Sequence, residues 1–458
     1  MTMSKSVMLL LCLWIAVSAG GEASAPDTRP RVFVMTDIGG DPDDQQSLVR
    51  FLLYANEFDI AGISCGLGKG HESDAMPQMA LDIIDAYAAD LPRLRIHAPG
   101  YPDAAALKKR LSVDVSKASH KDRLDIQSAA SRAIIKVLKS SDPRPVWFLG
   151  WGGPRALSAA LFKLSRTLSP AEYQKVKAKV RIYDIYGQDS TAGWLRSHND
   201  LFYIHSNQAF RGMYQKIFPN DTMTALAARP WIVTNVKGHG ALGERYPEGA
   251  DGKEGLKEGD TPSFLYLLPN GLGAAEHPSW ENWGGTGVQI KGQQPYFLSN
   301  DKSTIARWRR EYQADFAARM DWAATDSFAK ANHPPQVIVN NQSGTAPLYL
   351  PLLPGSTLTL DGSASTDVDN DSLSFAWSIL GESSGCTLQL QSRGATATVT
   401  VPTPCTTQDS IHILLSVQDS GTPPLSRYRR IILSQPAAAA QSGNSSVPPS
   451  EEAAQPTP

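Results

Sequence analysis

Carboxylates crowd one short stretch of this chain. Asp37, Asp41, Asp43 and Asp44 fall within eight residues of Val32-Phe33-Val34-Met35-Thr36-Asp37-Ile38-Gly39-Gly40-Asp41-Pro42-Asp43-Asp44. Four such groups repel one another unless something cationic sits among them, and a hard divalent ion with oxygen ligands fits that need. The β-branched run before them and the helical spacing of Leu48, Leu52 and Ala55 after them read as strand, loop and helix. The Gly39-Gly40 pair lets the loop turn sharply, and Asp43-Asp44 fall in the first helical turn, where exposed N–H groups favour negative charge. The reading is a metal site at the carboxyl end of the first strand. A plainer alternative makes Asp41-Pro42 a turn and Asp43 or Asp44 a helix cap, which accounts for one aspartate but not four.

The elements that must position these groups alternate from residue 31 to about 330. Strands are expected at 32–36, 60–65, 94–97, 146–149, 180–185 and 231–236, and helices around 75–88, 126–138, 154–164, 171–179 and 304–324. Such alternation implies an α/β fold with a largely parallel sheet, whose ligands sit beyond the carboxyl ends of the strands. The loops there carry Gly66-Leu67-Gly68-Lys69-Gly70-His71, which lacks the Ser or Thr of a phosphate loop, and Gly150-Trp151-Gly152-Gly153-Pro154, which lets backbone pass close to a ligand. Tyr183-Asp184-Ile185-Tyr186-Gly187-Gln188-Asp189 and the following Asn199 and Asp200 mix aromatics with polar groups, a combination suited to a sugar or to a solvated loop. His277-Pro278-Ser279-Trp280-Glu281-Asn282-Trp283 suits either a sugar-pocket wall or a packing corner between domains, and the pocket is the preferred reading.

Asp37, the Gly39-Gly40 pair and the Asp43-Asp44 doublet resemble the N-terminal signature of nucleoside hydrolases, in which such aspartates bind calcium and ribose. The chain departs from that signature at Ile38, where a proline is usual, at Met35, where an aspartate is usual, and by two extra loop residues. These departures resemble more closely a secreted nucleoside-hydrolase-like family with a C-terminal β-domain, described as cellulose-binding. The resemblance implies that Asp37, Asp44, Asp260 and the carbonyl of Trp151 hold one Ca2+, and that Asp43 takes a sugar hydroxyl. It also implies a water positioned and made acidic by the ion, with Asp37 as general base, attacking an anomeric carbon in an N-glycosyl compound. Asn199 and Asp200 are the nearest counterparts of the family's ribose-holding residues, with His277, Trp280, Glu281, Asn282 and Trp283 as further substrate contacts. Gly259 stands where the family has the histidine that protonates the leaving base, which leaves His239 or His277 as replacements. The same absence supports a rival from another class, a carbohydrate-binding protein that has lost catalysis. Hydrolysis of an O-glycoside at the same metal is a third option.

Composition bounds the partners. The 43 Lys and Arg against 45 Asp and Glu, with no basic run, exclude a nucleic-acid backbone as the expected partner and leave a small sugar or nucleoside, or a polysaccharide. Residues 1–19 have Lys5 ahead of an apolar block from Val7 to Val17, ending Val17-Ser18-Ala19, the form of a secretory signal peptide. That block is short for a membrane anchor, so secretion is expected, either outside the cell or into a periplasm. Cys386 and Cys405 can pair in such a compartment, and Cys65 reads as a buried thiol. From 336 to 433 alternating Thr, Ser, Val and Leu with frequent turns suggest an immunoglobulin-like sandwich. Asp361-Gly362-Ser363 and Asp367-Val368-Asp369-Asn370-Asp371 resemble polycystic-kidney-disease-type modules. Alternating aspartates of this kind either bind calcium or simply form turns. Residues 435–458 are rich in Ala, Ser, Pro and Glu and read as disordered.

Overall fold

A computed structural model describes residues 27–67, 75–115, 117–197, 200–214, 221–250, 253–292, 295–381, 385–407 and 410–435. The leader, the tail beyond 435, and Lys69, His71 and Asn199 lie outside the described residues. The first part is built on a mostly parallel sheet. Its strands are β1 (Arg31–Thr36), β2 (Asp59–Cys65), β3 (Leu111–Val113), β4 (Val146–Gly150), β5 (Val180–Ile185) and β6 (Phe202–Ser206). A small hairpin of β7 (Gly249–Ala250) and β8 (Lys253–Glu254) stands apart, and β9 (Val288–Gln289) and β10 (Tyr296–Ser299) complete the sheet in the order β3-β2-β1-β4-β5-β6-β10-β9. All neighbours run parallel except β9, antiparallel to β10.

Both faces of this sheet are covered, which is why β1 is buried at every position. Val32 and Val34 pack into one apolar layer, and Phe33 and Met35 into the other. The first layer holds α1 (Pro42–Leu53), α2 (Pro77–His97) and α3 (Ala104–Arg110), and the second holds α4 (Ala129–Leu138), α5 (Arg155–Thr167), α6 (Pro170–Lys177) and α7 (Thr191–Arg196). Later come α8 (Asp221–Ala225), α9 (Arg229–Asn235), α10 (Gly240–Arg245), α11 (Pro262–Leu265), α12 (Ser303–Ala306) and α13 (Arg309–Ala324), of which α9 to α13 pack into the first layer. Strand order reverses between β1 and β4, so the connections leaving their carboxyl ends diverge and open a crevice there.

Two expected strands are helical. Residues 94–97 continue α2 through Pro92, with Leu91, Leu94 and His97 buried at helical spacing while Ile96 is exposed. Residues 231–236 lie largely in α9, where Ile232 and Val236 are buried four apart and Val233 faces solvent. The true partners on that side of the sheet are β6 and β10, whose short sequences Phe-Tyr-Ile-His-Ser and Tyr-Phe-Leu-Ser carry weak periodicity. The expected helix at 304–324 is two, α12 and α13.

The second part is a sandwich of β11 (Leu348–Pro351), β12 (Thr357–Asp361), β13 (Ser374–Leu380), β14 (Gln389–Arg393), β15 (Thr396–Thr400), β16 (Ile411–Gln418) and β17 (Ser426–Ser434). Its sheets are ordered β11-β17-β16-β13 and β12-β15-β14 and enclose a separate apolar core, with Cys386 and Cys405 joined in a disulfide at its margin. Cys65 is the buried thiol, pushed up to about 12 by burial.

β17 binds the two parts together. Tyr428 belongs to the first core, its N–H donates to Asn270 O at 2.9 Å, and Trp283 and Trp308 meet its ring edge-on. Gly271, at φ +87°, leaves room that any Cβ would deny, since that atom would sit 1.9 Å from Tyr428 O. Beside it the buried Asp315 of α13 takes Arg427 at 2.7 Å, Tyr54 at 2.8 Å and Arg319 at 3.3 Å. Burial pushes the Asp315 carboxyl up, but Arg427 and Arg319 outweigh it and hold it at about 2. A carboxylate lowered from 3.8 to about 2 on folding stabilises the fold above 3.8, and that contribution is lost as pH falls towards 2. Asp315→Asn is expected to lower unfolding free energy by about 3 kcal/mol, measured by urea denaturation near pH 7. The variant should also show less of the acid destabilisation between pH 4 and 2.

Candidate metal and sugar site

Thr36 ends β1 by turning its side chain into the loop. Its hydroxyl accepts the Ile38 N–H at 3.1 Å and donates to Asp44 Oδ1. α1 then starts at Pro42, with Asp41 extended at φ −141° and no side-chain cap bond, so capping is not what these aspartates do. Asp43 and Asp44 stand in the first turn, where the helix N-terminus favours their charge. Asp260 arrives from more than two hundred residues away, just before α11, and Asp43, Asp44 and Asp260 offer oxygens all within 4.8 Å of one another. Asp37 stands against them, and its charge is felt by all three. Asp43, expected at the sugar, therefore shares the group of oxygens able to ligate an ion.

The loop carrying Asp260 is clamped from two sides. α1 holds it through Gln46, which accepts from Lys257 N–H at 2.8 Å, through Ser47, bonded to Thr261 at 3.0 Å, and through Arg50, paired with the fully buried Glu258 at 2.8 Å. On the other side the Trp151 indole donates to Ser263 Oγ at 2.8 Å, and Ser263 donates to Asp260 O at 2.7 Å. The Trp151 carbonyl, expected at the metal, receives the Gln188 side-chain amide at 2.5 Å. Gly152 brings β4 against Asp37 so closely that a Cβ there would lie 2.2 Å from Asp37 Cγ. Gly153, at φ +119°, makes the same room for Asp189, which caps α5 by accepting from Arg155 N–H at 2.9 Å.

This arrangement concentrates negative charge away from water. Burial first, then neighbouring carboxylates, push Asp44 and Asp260 well above the usual carboxylate range and Asp43 up to about 7. Lys257, paired with Asp41 at the rim, offsets part of it. Asp260 Oδ2 is sealed from solvent and has no hydrogen-bond partner among the described residues. An orphan carboxylate oxygen facing other carboxylates is what a hard cation satisfies, so the donor set fits calcium.

The remaining expected contacts lie elsewhere. Asp200 precedes β6, at the opposite edge of the parallel sheet from Asp37, and pairs with Lys177. His277 stacks on Trp280 at 4.0 Å, Trp280 meets His412 edge-on and carries Arg430 over its ring, and Glu281 pairs with Arg307 at 2.9 Å. Asn282 is buried, donating to Tyr266 O and accepting from Gly284 N–H, and Trp283 is 1% exposed against Tyr428. This segment is the packing corner between domains rather than a pocket wall. Of the replacement acids, His239 lies 3.1 Å from Asp321 on α13 and His277 is in that corner. A Cβ at Gly259 would stand 3.2 Å from both Asp43 Oδ2 and the Tyr214 hydroxyl.

Two groups beside the cluster, Tyr214 and Lys257, were not singled out from sequence, and Tyr186 was quoted only as part of a mixed aromatic and polar stretch. Tyr214 keeps its proton because burial, then the charges of Asp43 and Asp260, raise its pKa. Lys257 could have been suspected from its place next to Glu258-Gly259-Asp260. Tyr186 follows β5 with a left-handed φ of +67° and is 47% exposed, an aromatic held in a conformation that costs energy, as functional loops often are.

Comparison with known proteins agrees with this fold. Residues 31–286 match the family described as "Cellulose-binding Sde182, nucleoside hydrolase-like domain", more than half of the chain. The chain belongs to this family. Residues 357–435 match "Cellulose-binding protein Sde0182, C-terminal domain". A solved nucleoside hydrolase-related hypothetical protein from Saccharophagus degradans, associated with carbohydrate metabolism, is 34% identical over 89% of this chain and all of its own, with a TM-score of 0.78. The effector protein XOO4466 is 13% identical over 66% of this chain and 95% of its own, at a TM-score of 0.37. No curated protein matches the chain.

Two outcomes are expected if this cluster holds calcium. Gly152→Ala should displace Asp37 and weaken calcium binding by about tenfold or more, read by isothermal titration. Because Asp43 must lose a proton near pH 7 for an ion to bind, calcium affinity should rise about tenfold or more from pH 6 to pH 8. Titrations in buffers of different ionisation enthalpy would count the protons released.

Proposed function

We propose that the protein is a secreted, calcium-dependent hydrolase acting on N-glycosyl bonds of a nucleoside or related ribosyl compound. The observation that carries this reading is the convergence of Asp43, Asp44 and Asp260 beside Asp37, with Asp260 Oδ2 buried and without a hydrogen-bond partner among the described residues. Asp43, Asp44 and Asp260 would hold the ion, with Asp37 and the Trp151 carbonyl beside it. When bound, calcium supplies a fixed positive charge that makes a neighbouring water easier to deprotonate.

Asp37 accepts a proton from that water as its oxygen bonds to the anomeric carbon. The bond from that carbon to the leaving nitrogen breaks through an oxocarbenium-like state, and the nitrogen takes up a proton as it departs. Asp43 accepts a sugar hydroxyl, which keeps the ring oriented and its charge partly compensated. Tyr214, held neutral near Asp43, has a hydroxyl able to donate a hydrogen bond to a substrate in the same space. No histidine stands at Gly259, so the leaving group takes its proton from another donor, which favours leaving groups that depart readily. The Cys386–Cys405 disulfide and the leader-like first 19 residues support an oxidising, extracytoplasmic compartment.

Gly259 also favours a second reading, a glycan-binding protein in which turnover is lost. The family's cellulose-binding description supports it as well. A panel of nucleosides and ribosyl compounds assayed with calcium and with chelator separates the two. Hydrolysis abolished by chelator and reduced about a thousandfold or more by Asp37→Asn supports the enzyme. No turnover on any member, together with retention on cellulose, supports the binding protein, and full activity of Asp37→Asn overturns the base assignment.

A further inference from the structure

Gly259 takes a side chain away from the middle of the site, and other residues fill its place. A Cβ there would lie 3.2 Å from Asp43 Oδ2, 3.2 Å from the Tyr214 hydroxyl and 3.3 Å from Phe210 Cδ2. Any side chain at 259 would therefore enter the volume that these three groups share. The phenol of Tyr214 stands at the entrance to the space that a histidine at 259 would use, beside Asp43.

The backbone that carries Tyr214 is held firmly. One tight helical turn, Ala209–Met213, leaves β6 just before it. Phe210 N–H donates to Ser206 Oγ at 3.1 Å, and Tyr214 N–H donates to Arg211 O at 3.1 Å. From α13 the guanidinium of Arg309, 1% exposed, donates to Gly212 O at 2.6 Å and to Tyr214 O at 3.0 Å. Gly212 permits the close packing behind the turn, since a Cβ there would lie 2.4 Å from Lys302 O. A buried guanidinium bonded in this way fixes the turn, because moving the turn would strip a buried charge of its partners.

Three rings run outwards from the carboxylates. Tyr214 meets Phe210 edge-on with centroids 5.9 Å apart, and Phe210 lies 5.9 Å from Tyr186. The first ring is next to Asp43, the second is buried and the third is exposed. Arg211 braces the outer pair, 5.5 Å from the Phe210 ring and 5.7 Å from the Tyr186 ring. A flat aromatic ligand gains from such a wall by stacking. A single hydroxyl at its inner end suits the part of that ligand nearest a sugar held at Asp43.

We propose that Tyr214, Phe210 and Tyr186 form the leaving-group subsite, in which the Tyr214 hydroxyl donates a hydrogen bond to the departing group and the rings of Phe210 and Tyr186 carry a planar heterocycle. This rests on the hydrolase reading given above. As the bond from the anomeric carbon to nitrogen breaks, its electron pair goes to the heterocycle. The hydrogen bond from Tyr214 stabilises that charge, solvent water supplies the proton, and Tyr214 keeps its own.

Two variants of the full chain test this, Tyr214→Phe and Tyr186→Ala. The base of adenosine departs with a negative charge that needs a donor, whereas nicotinamide riboside releases a neutral pyridine that needs none. Tyr214→Phe is expected to lower kcat on adenosine about a hundredfold or more and on nicotinamide riboside far less, with calcium still bound in a direct titration. Equal losses on the two compounds, no loss on adenosine, or wild-type turnover of nicotinamide riboside alone overturns the role of Tyr214. The ring wall is read without turnover, by titrating the Asp37→Asn protein in the presence of calcium. Adenosine should bind it about tenfold or more tighter than ribose, and adding Tyr186→Ala should remove most of that difference. Equal affinity for adenosine and ribose, or a cello-oligosaccharide held through Tyr186 in their place, overturns the subsite. If the wild type hydrolyses neither compound while the Asp37→Asn protein binds adenosine through Tyr186, the ring wall stands as a binding site and the hydrolase reading is what fails.

Discussion

Like charges held out of water are the constraint around which the first domain is built. Two carboxylate oxygens 4.8 Å apart repel by about 3 kcal/mol at an effective dielectric of about 20. Three such pairs among Asp43, Asp44 and Asp260 rival the whole net stability of a typical domain, about 5–15 kcal/mol. Lys257 sits at the rim and reaches Asp41, so it relieves only part of this. The fold therefore depends on protons or a cation at this place, and the choice between them is set by pH and by divalent ion concentration.

Holding such a cluster together requires rigid support behind it. α1 supplies two kinds at once. Its first turn presents N–H groups to Asp43 and Asp44, and its next turns carry Gln46, Ser47 and Arg50 to the segment that bears Asp260. Arg50 is fully buried and stacked over Phe316, and its guanidinium is divided among Glu258, Gln313 and the Tyr312 carbonyl. A buried ion pair of that kind adds little net stability over an apolar pair but strongly disfavours any arrangement in which one member is misplaced. That property suits a device whose role is to place Asp260 within reach of a strand end two hundred residues earlier.

What could be read from the sequence follows from how local each signal is. The strand, glycine turn and helix from 31 to 53 were legible because burial, turn chemistry and charge all act within twenty residues. Asp260 and Trp151 carried no such local mark and were reached through resemblance to a family. Gly152 was seen as a glycine suited to close approach, but only the fold shows that the group approaching is Asp37. The strands expected at 94–97 and 231–236 failed because short stretches such as Leu94-Arg95-Ile96-His97 and the six residues from Trp231 to Val236 fit either period, and packing against α13 and its neighbours chose the helix. The aromatic segment from 277 to 283 was misjudged for another reason. Trp beside polar groups describes a sugar platform and a domain junction equally well, and only the position of β17 distinguishes them.

That junction changes how the sandwich domain can contribute. Tyr428 shares the core of the first domain, and Arg427 and Arg430 are tied to Asp315 and to the Leu272 carbonyl, so the two domains meet through a packed, hydrogen-bonded seam. An interface of this type resists the independent motion expected of a tethered binding module. The aromatics at the seam are consumed by packing: Trp283 is covered, and Trp280 is sandwiched between His277 and the guanidinium of Arg430. Exposed aromatic rings stand elsewhere, at Tyr186 and at Tyr349 of the sandwich. Tyr186 is exposed on the loop that also sends Gln188 to Trp151, with Arg211 beside its ring, so a sugar resting there would lie on the carboxyl-terminal edge of the sheet that carries Asp37. The sandwich, through Tyr428, Arg427 and Arg430 of β17, braces the first domain on which that edge stands.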